Sequence, residues 1–359
     1  MDKNTTLHAT VAVTGLNAND NPGPGVGVIR SLRADPCFDG RIVGLTYNHL
    51  DPGIYDSTLA DDVYLLPYPS NGRAALLEHL RRIVGEAGID VIIPTLDAEL
   101  PAFIDSEEEL SAAGAKMFVA SRKNLHLREK TRLTDLGKMC GIPSPKTHRI
   151  TAHRELPEIL DSLSSPIVVK GIFYEATICR NLEEAVEAFN TIAARWGLPV
   201  VVQEYIEGEE YDVAAVGDGA GGLLGAVPMK KLSLTEKGKA WAGVTVGDSE
   251  LIDTAKRLMQ SLSWAGPCEV ELIREKATGI LHLLEINPRF PAWIYLATGA
   301  GQNLPSVVVR KALGQEPTPL TSYSVGTMFV RMASDMIAEL SDFEKITTGG
   351  HVARGDIRP

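Results

Sequence analysis

The sequence predicts an α/β protein whose second half is α+β, because its strand and helix signals change order along the chain. In the first third, strand-like runs at Leu7–Thr14, Arg41–Thr46 and Val91–Pro94 are separated by helix-like runs. Strands separated by helices form right-handed βαβ units, which give a parallel sheet. From about Tyr211 onward, apolar strand-like runs follow one another closely, a pattern typical of an antiparallel sheet.

The size and composition of the chain limit the classes of protein that it can be. With 359 residues it is longer than one compact core usually holds, so two or three subdomains are expected. The net charge of −11 disfavours nucleic acid or an anionic membrane as the main partner. No segment reaches the roughly 18 apolar residues of a membrane span. The 4 cysteines are scattered and lack C-x-x-C spacing, so we expect no zinc site, no disulfides and a cytoplasmic location.

In the predicted parallel sheet, the loops that follow the strands are the first candidates for a functional site, because ligands bind at the carboxyl ends of such strands. Helices are predicted near Gly25–Ala34 and over Ala74–Glu86 from the spacing of apolar residues. The glycine-containing loop before the first helix does not fit G-x-G-x-x-G, which favours a helix N-terminus that receives a carboxylate or phosphate. In the loop Thr95–Glu99, Asp97 either caps the next helix or has a functional role.

The second region of the chain predicts a small α+β unit. A helix over Lys130–Cys140 is followed by a glycine and two prolines that end it. Strands at Pro166–Lys170 and Val200–Glu204 then flank a helix over Leu182–Ala194. Lys170 ends its strand, where a buried ammonium needs an anionic partner such as a phosphate. The alternative is an edge strand whose last residue points into water.

The most informative run of the sequence is LHLLEINPR at Leu281–Arg289. Its polar residues Glu285, Asn287 and Arg289 recur at every second position, which places them on one face of a strand. An exposed hairpin whose polar residues face water is the alternative interpretation. Asn and Pro are poor strand formers, however, and their presence here favours a functional reason.

A second run, CEVEL, lies upstream and carries Glu269 and Glu271 in the same alternation. Residues 276–279 between the two runs are typical of a hairpin turn. A five-residue loop centred on Thr278 would set Glu271 directly opposite Glu285. Two carboxylates and an amide oxygen would then converge, and such hard oxygen ligands suit Mg²⁺. The arginine beyond them would serve a phosphate or a developing anion.

Together, E-I-N-P-R at Glu285–Arg289 and E-V-E-L at Glu269–Leu272 resemble the metal-binding end of the ATP-grasp superfamily. Within it, the sequence is similar to the ATP-binding modules of carbamoyl-phosphate synthetase large chains and biotin carboxylases. The resemblance implies ATP, two Mg²⁺ ions (with Mn²⁺ as an alternative ion) and an acyl-phosphate intermediate. It also implies an ATP-grasp fold with a pre-ATP-grasp domain at 1–120, linker helices and a small lid at 121–207, an antiparallel-sheet subdomain at 208–325 and a C-terminal extension at 326–359.

Residue by residue, the resemblance implies a nucleotide site, a metal site and a substrate site. The expected metal ligands are Glu271, Glu285 and Asn287, and the expected catalytic residues are Arg289 and Lys230. The expected nucleotide-binding residues are Lys130, Lys170, Gln203, Glu204, Tyr205, Ile206, Glu210, Lys230 and Lys231. Within this set, residues 203–206 would read the adenine and Glu210 would bind the ribose hydroxyls. The residues expected to contact the substrate are Asp97, Glu99, Trp241, Glu269 and Trp293.

Lys230 and Lys231 are adjacent, so only one of them can face the triphosphate if they lie in a strand. Lys230 is favoured here. The residues that follow, 232–247, include several polar residues and glycines, which predicts a mobile loop near the phosphates with Trp241 as a wall of the substrate site. This segment is not a P-loop, because its glycine and lysine are not followed by Ser or Thr.

The sequence departs from the family at the lid, where residues 171–177 hold one glycine and several bulky side chains in place of a glycine-rich loop. The implied function is ATP-dependent ligation of a small carboxylic acid, such as an amino acid or peptide, to an amine, with release of ADP and phosphate. Small molecules are the expected partners, and a homodimer is an open option. The alternatives are an ATP-grasp carboxylase or kinase acting on a small acid, and a non-catalytic ATP-binding subunit of a larger assembly.

Overall fold

The computed structural model describes residues 6–19, 21–172, 175–236 and 238–354. Its strands form three sheets, of five, four and six strands. The first sheet is mainly parallel and the other two are antiparallel, so the predicted α/β class with an α+β second half is confirmed. None of the helices described is both long and apolar enough to cross a membrane.

The first sheet is built mainly from the N-terminal third of the chain. Its strands are β1 (Val11–Val13), β2 (Ile42–Thr46), β3 (Asp62–Leu65) and β4 (Val91–Ile93), in the spatial order β3-β2-β1-β4. The helices of this region are α1 (Pro24–Arg33), α2 (Arg73–Ala87), α3 (Leu100–Ile104), α4 (Glu107–Ala112) and α5 (Arg122–Leu127). Strand β3 is not among the predicted strands, because its run is short and begins with a charged residue.

Helix α1 starts very close to the carboxyl end of β1. A Cβ atom at Gly25 would lie 1.8 Å from the carbonyl oxygen of Thr14, so only glycine allows this approach. Pro24 fits the first turn of the helix because its missing N–H has no partner to lose there. The apolar residues Val28 and Ile29 are fully buried on the first sheet.

The second sheet forms the predicted small α+β unit. Its elements and the helix before it are α6 (Leu133–Cys140), β5 (Thr147–Ile150), α7 (Leu156–Ser162), β6 (Ile167–Lys170), β7 (Ala176–Cys179), α8 (Leu182–Trp196) and β8 (Val200–Glu204). The strands lie in the order β5-β8-β6-β7. Ile167 and Val169 are buried against α7 and α8, and Lys170 therefore lies on the opposite face of the sheet. Within the predicted lid loop, Phe173 and Tyr174 lie outside the described residues.

The third sheet carries the polar hairpin. Its elements are β9 (Gly208–Asp218), β10 (Leu223–Leu234), β11 (Ala240–Thr245), α9 (Ser249–Leu262), β12 (Ala265–Glu275), β13 (Leu281–Asn287), α10 (Tyr295–Gly299), α11 (Leu304–Ala312) and β14 (Met328–Val330). The strands lie in the order β13-β12-β9-β10-β11-β14. One face packs on α9, and the other packs on α11 and on the core of the first sheet.

Much of the segment 232–247, which the sequence predicted to be a loop, is strand. Strand β10 continues to Leu234 and pairs with β11 in an antiparallel hairpin, in which Lys231 lies opposite Gly243. The polar residues Thr235, Glu236 and Lys239 lie in the connection between these strands, where the N–H of Thr235 donates to the carbonyl of Lys239 at 2.8 Å.

The end of the described chain returns to the first sheet. After β14, the helix α12 (Leu340–Gly349) leads to β15 (His351–Ala353), which pairs antiparallel with β3. The described part of residues 326–359 thus adds one strand to the third sheet and one to the first. The subdomain boundaries given above stay a prediction.

Candidate active site

The polar hairpin is formed by β12 and β13 and brings the predicted metal ligands together. Glu271 pairs with Glu285, the register that the sequence predicted, and Glu269 pairs with Asn287. All four side chains lie on one face of the sheet, because the two pairs are separated by two residues along each strand. The Asn287 Nδ2 donates to Glu271 Oε1 at 2.8 Å and to Glu269 Oε2 at 3.1 Å.

The expected register arises by an unexpected route. The N–H of Glu275 donates to the carbonyl of Ile280 at 2.9 Å, so four residues rather than five form the turn. That turn alone would place Leu284, not Glu285, opposite Glu271. A β-bulge at this point of β13 absorbs the extra residue and restores the pair of glutamates.

The donor set of the hairpin fits a hard divalent cation. Glu271, Glu285 and Asn287 offer carboxylate and amide oxygens, which are the ligands that Mg²⁺ prefers. Burial raises the pKa of Glu285, and the neighbouring charge of Glu271 adds to the rise although Lys130 opposes it. A cation between the carboxylates would relieve that repulsion. Within the described ranges, no group of three or more His, Cys, Asp or Glu is arranged to hold a metal, so the candidate depends on the Asn287 amide as well.

Lys231 is the lysine that faces these carboxylates. Its Nζ lies 2.9 Å from Glu210 Oε2, 3.2 Å from Asp212 Oδ1 and 3.5 Å from Glu271 Oε2, and its side chain is 7% exposed. Burial alone would lower the pKa of Lys231, but Asp212 and the two glutamates raise it well above its ordinary value. Lys231 is therefore held as a buried ammonium beside the hairpin.

The preference for Lys230 is corrected by this arrangement. Lys230 lies on the opposite face of β10, where its Nζ is 2.6 Å from Glu209 Oε1 and 6.0 Å from the centre of the Tyr211 ring. Adjacent residues of a strand point to opposite faces, so Lys230 cannot reach the carboxylates that surround Lys231.

Lys170 reaches the same region from the second sheet. Its Nζ donates to Gln203 Oε1 at 2.7 Å, and burial lowers its pKa, with Lys130 adding to the fall. Lys130 lies between the two sheets, with its Nζ 3.4 Å from Glu285 Oε2. Lys170 of the second sheet and Lys130 thus converge on the carboxylates of the hairpin, and we call the region between them the cleft.

The predicted adenine-binding segment joins the two sheets at this cleft. Gln203 donates through Nε2 to Thr147 Oγ1 at 3.0 Å, which leaves its amide oxygen for Lys170. Glu204 accepts from the Lys146 N–H at 3.1 Å. Residues 205–206 are half-buried and link β8 to β9 without regular structure. These two residues therefore lack the regular ladder hydrogen bonds of a strand.

Arg289 is held at the edge of the hairpin by an acidic residue from the loop after β4 of the first sheet. Its Nε lies 2.6 Å from Asp97 Oδ2, and its Nη1 lies 3.5 Å from Glu269 Oε2. Arg128 binds the other oxygen of Asp97 at 3.1 Å. These arginines lower the pKa of Asp97 even though burial opposes them. Asp97 is not a helix cap, since Glu99 is the residue before α3.

Glu99 does not lie at the cleft, which corrects its assignment to the substrate site. It is fully buried and accepts hydrogen bonds from the hydroxyls of Thr14 and Tyr47 and from the N–H groups of Thr95 and Leu96. Desolvation raises its pKa despite these bonds. Its oxygens fasten the ends of β1 and β4, so its role is to shape the loop that carries Asp97.

The two tryptophans of the predicted substrate site differ from each other. Trp293 is buried in the core, and its Nε1 donates to Glu269 Oε1 at 2.7 Å. It therefore positions Glu269, and its contact with a substrate stays a prediction. Trp241 is half-buried in β11, one strand away from Lys231.

Two residues of the site were missed in the sequence. Asp212 alternates with Glu210 on β9, next to the strand of Glu271, and this alternation was the signal that could have found it. Arg128 follows α5 in a stretch with no pattern of its own. Only the fold brings it to Asp97.

Comparisons with known proteins agree with the fold and with the resemblance. Residues 198–332 match a family described as ATP-grasp in the biosynthetic pathway with Ter operon. A phosphoribosylamine–glycine ligase of Helicobacter pylori is 26% identical over 140 residues, which are 39% of this chain and 32% of that protein. A D-alanine–D-alanine ligase of Chromohalobacter salexigens is 24% identical over 174 residues, which are 44% of this chain and 54% of that protein.

A solved structure extends the likeness to nearly the whole chain. The biotin carboxylase of Campylobacter jejuni, solved with an ATP analogue, superposes with a TM-score of 0.69 at 13% identity, covering 89% of this chain and 74% of the other. The structural match thus covers much more of the chain than residues 198–332. The sequence matches, in contrast, span only about a third of one ligase and about half of the other. The predicted architecture, with its parallel first sheet, small unit and antiparallel third sheet, is confirmed.

Proposed function

We propose that this chain belongs to the ATP-grasp superfamily, as the match of residues 198–332 supports, and that it is an ATP-dependent ligase. It would join a small carboxylic acid to an amine through an acyl phosphate and release ADP and phosphate. The observation that carries the proposal is the pair Glu271–Glu285 with Asn287 beside it, on which Lys130, Lys170 and Lys231 converge.

The polar groups of the cleft divide into two functions. Glu271, Glu285 and Asn287 would hold Mg²⁺, two ions in our proposal with Mn²⁺ as a replacement, and the metal would neutralise charge on the transferred phosphoryl group. Lys130 and Lys170 would bind the phosphates of ATP. The donor atoms are present on one hairpin, and the two lysines approach them, with Lys130 Nζ 3.4 Å from Glu285 Oε2.

The nucleoside would lie along the segment between the second and third sheets. Residues 203–206 would contact the adenine, and Glu210 would accept from the ribose hydroxyls. In the structure Glu210 is bonded to Lys231 at 2.9 Å. That contact would keep Glu210 positioned before the nucleotide arrives.

Arg289 would orient and stabilise the reacting acid. A substrate carboxylate placed beside the phosphates would attack the terminal phosphoryl group, and Arg289 would donate to the oxyanion that forms when the amine attacks in turn. The ion pair with Asp97 fixes the guanidinium plane, so little reorganisation is needed during the reaction. Trp293 and Asn287 fix Glu269 in the same way.

The two sequence relatives support a ligase of this kind. One is named a phosphoribosylamine–glycine ligase and the other a D-alanine–D-alanine ligase, so each name includes an amino acid. Small molecules are the proposed partners, in line with the net charge of −11. The four cysteines are free thiols, which is consistent with the proposed cytoplasmic location.

The test is an incubation of the protein with ATP, Mg²⁺, a panel of carboxylic acids and a panel of amines, with ADP, AMP and phosphate separated afterwards. ADP formation that requires both an acid and an amine supports the ligase. ADP formation with an acid alone would indicate a kinase, and a requirement for bicarbonate would indicate a carboxylase. Binding of ATP without turnover under any combination would contradict a catalytic role and favour a nucleotide-binding subunit.

A further inference from the structure

Strand β14 forms one edge of the third sheet, and its outer side has no partner strand in the described chain. Its one neighbour is β11, at the far end of the sheet from the polar hairpin. The N–H of Arg331, which directly follows β14, donates to the carbonyl of Trp241 in β11 at 2.9 Å. Backbone groups alternate in direction along an antiparallel strand. Those of the even-numbered residues, such as Met328 and Val330, therefore point away from β11 toward the open edge.

The chain beyond β14 keeps the sequence pattern of a strand without forming one. Apolar or small residues occupy every second position from Met328 to Ala338, a period that is typical of a strand with one apolar face. Residues 331–339 nevertheless have no regular secondary structure, and residues 332–339 are all exposed. No hydrogen bond between backbone groups joins residues 332–338 to the rest of the described chain. The segment thus has the pattern of a strand that lacks its partner.

The even-numbered side chains of this segment form an apolar and exposed face. The exposed fractions of Met328, Val330, Met332 and Met336 are 56%, 63%, 78% and 42%. Seven of the large apolar side chains that the described chain exposes lie within residues 325–340. Scattered apolar side chains are ordinary on a protein surface, whereas a contiguous group along a sheet edge marks a place where another chain can add a strand.

A second copy of this chain fits the open edge, because the segment is complementary to itself. Two copies related by a two-fold axis can pair antiparallel with Ala333 opposite its own counterpart. This register sets Arg331 opposite Asp335 of the second copy, and Val330 opposite Met336 of the second copy. Opposite charges and apolar side chains that lie directly across two strands stabilise their pairing. The even-numbered residues then form the hydrogen-bonded pairs, as the direction of their backbone groups requires.

The surface that this pairing would cover approaches what a stable dimer needs. Complete burial of one large aliphatic side chain removes about 60–120 Å² of apolar surface from water. Seven such side chains on each copy, together with the backbone of the paired strands, approach the roughly 800 Å² per partner of a standard interface. Interfaces of this size have dissociation constants of about 1 μM or less.

We propose that residues 328–338 form a dimerisation strand, through which two copies of this chain join their six-stranded sheets edge to edge. Ala333 lies on the two-fold axis. In the dimer, residues 332–338 continue β14, because the second copy supplies the backbone hydrogen bonds that the single copy lacks. The proposal concerns assembly alone, so its test requires neither ATP nor turnover and is independent of the proposed ligase function.

Sedimentation equilibrium of the full chain measures the assembly. The parent should be a dimer at about 10 μM, above the expected dissociation constant. Met332→Lys and Met336→Lys should raise that constant by at least about 100-fold, because each substitution places a charge twice in the two-fold interface. Both positions are exposed in the single copy, so the variants should still fold. Met139→Lys is the matched control, since Met139 is 49% exposed but lies on α6, and its dissociation constant should stay within about twofold of the parent value.

Cysteine cross-linking tests the register. Ala333→Cys places the new thiol beside its own counterpart, and mild oxidation should join two copies, because facing residues of an antiparallel pair have Cβ atoms about 4.5–5.5 Å apart. Ala338→Cys is the control, since residue 338 would lie about 30 Å from its counterpart along the paired strands and should not cross-link. A monomeric parent would overturn the proposal. A dimer that survives both lysine substitutions, that fails to cross-link through residue 333, or that cross-links equally through residues 333 and 338 would overturn it as well.

Discussion

Arg289 and Asp97 form an ion pair, with Nε and Oδ2 2.6 Å apart, that joins the polar hairpin to the first sheet. The two residues are 192 positions apart in the sequence. Burial would lower the pKa of Arg289, but Asp97 and Glu269 more than offset it and raise the pKa. The guanidinium is thus kept charged and in one orientation at the edge of the cleft.

Replacement of Arg289 should affect the transition state more than ATP binding. Arg289→Ala removes the guanidinium that orients the reacting carboxylate and stabilises charge beside the transferred phosphoryl group, and we expect acyl-phosphate formation to slow by about 10²- to 10³-fold. Arg289→Lys should rescue little, because a point charge replaces a planar fork. Single-turnover trapping with hydroxylamine measures the rate, and calorimetry measures the affinity for ATP.

Loss of Arg289 also leaves Asp97 without its main partner, so folding has to be controlled. The double variant Asp97→Asn/Arg289→Ala removes the unpaired charge and should regain stability while the rate stays low. Acyl-phosphate formation at the parent rate in either variant would show that Arg289 is only structural.

Asp97 should contribute stability that is lost in acid. Its pKa is lower in the folded than in the unfolded protein, so folding favours the ionised form. The contribution is fully present above the ordinary pKa of aspartate and disappears as the pH falls from that value to the lowered one. Asp97→Asn should cost about 1.5–3 kcal/mol at neutral pH, and the difference from the parent should shrink in this acidic window. Urea denaturation over a pH series checks this, and a difference independent of pH would argue against it.

Glu285→Gln should abolish the stabilisation of the protein by Mg²⁺ and ATP without lowering the stability of the unliganded protein. The raised pKa of Glu285 means that its surroundings disfavour the charge, so a neutral isostere is tolerated there. The parent should gain about 2.7 kcal/mol from Mg²⁺ and ATP at a hundredfold excess over Kd, and the variant should gain almost none. Thermal unfolding with and without ligand measures this.

Glu207→Gln is the control, since Glu207 is an exposed carboxylate paired with Lys276. It should keep the full stabilisation by Mg²⁺ and ATP. A Glu285→Gln protein that responded to Mg²⁺ and ATP like this control would remove Glu285 from the metal site.

The alternation of the hairpin was sufficient to predict its polar face, because residues two apart in a strand share a face whatever the turn. The register was predicted from a loop that the chain does not form, and the bulge at Leu284 compensated for the error. Bulges depend on the packing of both strands and leave little trace in one sequence. The pair Glu271–Glu285 was therefore predicted correctly from an incomplete argument.

The choice between Lys230 and Lys231 could not be made from their spacing. It depends on which face of β10 meets the hairpin, and this is set by pairing with β9, where Glu210 and Asp212 lie. Likewise, Glu99 and Asp97 look alike in the sequence. Only the tertiary structure buries the first among hydroxyls and pairs the second with arginines.

The two adjacent lysines should differ sharply when each is replaced by methionine. Lys231→Met leaves Glu210, Asp212 and Glu271 without their buried cation, which should cost about 3–5 kcal/mol. Lys230→Met removes a pair with the exposed Glu209 and should cost less than about 1 kcal/mol. Urea denaturation measures both values. Addition of Mg²⁺ should restore part of the loss in Lys231→Met only, and equal behaviour of the two variants would refute the assignment of faces.

Lys170 should strengthen ATP binding and, at the same time, lower the stability of the unliganded protein. Its pKa is lower in the folded than in the unfolded protein, so the folded state loses the proton first as the pH rises. Stability of the parent should therefore rise with pH between the lowered and the ordinary lysine pKa. Lys170→Met should abolish this rise and should be at least as stable as the parent at neutral pH. Denaturation at several pH values tests both statements.

In the same variant, the affinity for ATP should fall, because a phosphate loses a charge-assisted hydrogen bond worth about 1.5–3 kcal/mol. That corresponds to a roughly 10- to 150-fold higher Kd by calorimetry. Lys146→Met is the control, since its backbone, and not its side chain, bonds Glu204 next to the cleft. It should leave the Kd within about twofold. A Lys170→Met protein with parental affinity, or with lower stability at neutral pH, would mean that Gln203 and the hairpin carboxylates already satisfy the ammonium and that phosphate is not its partner.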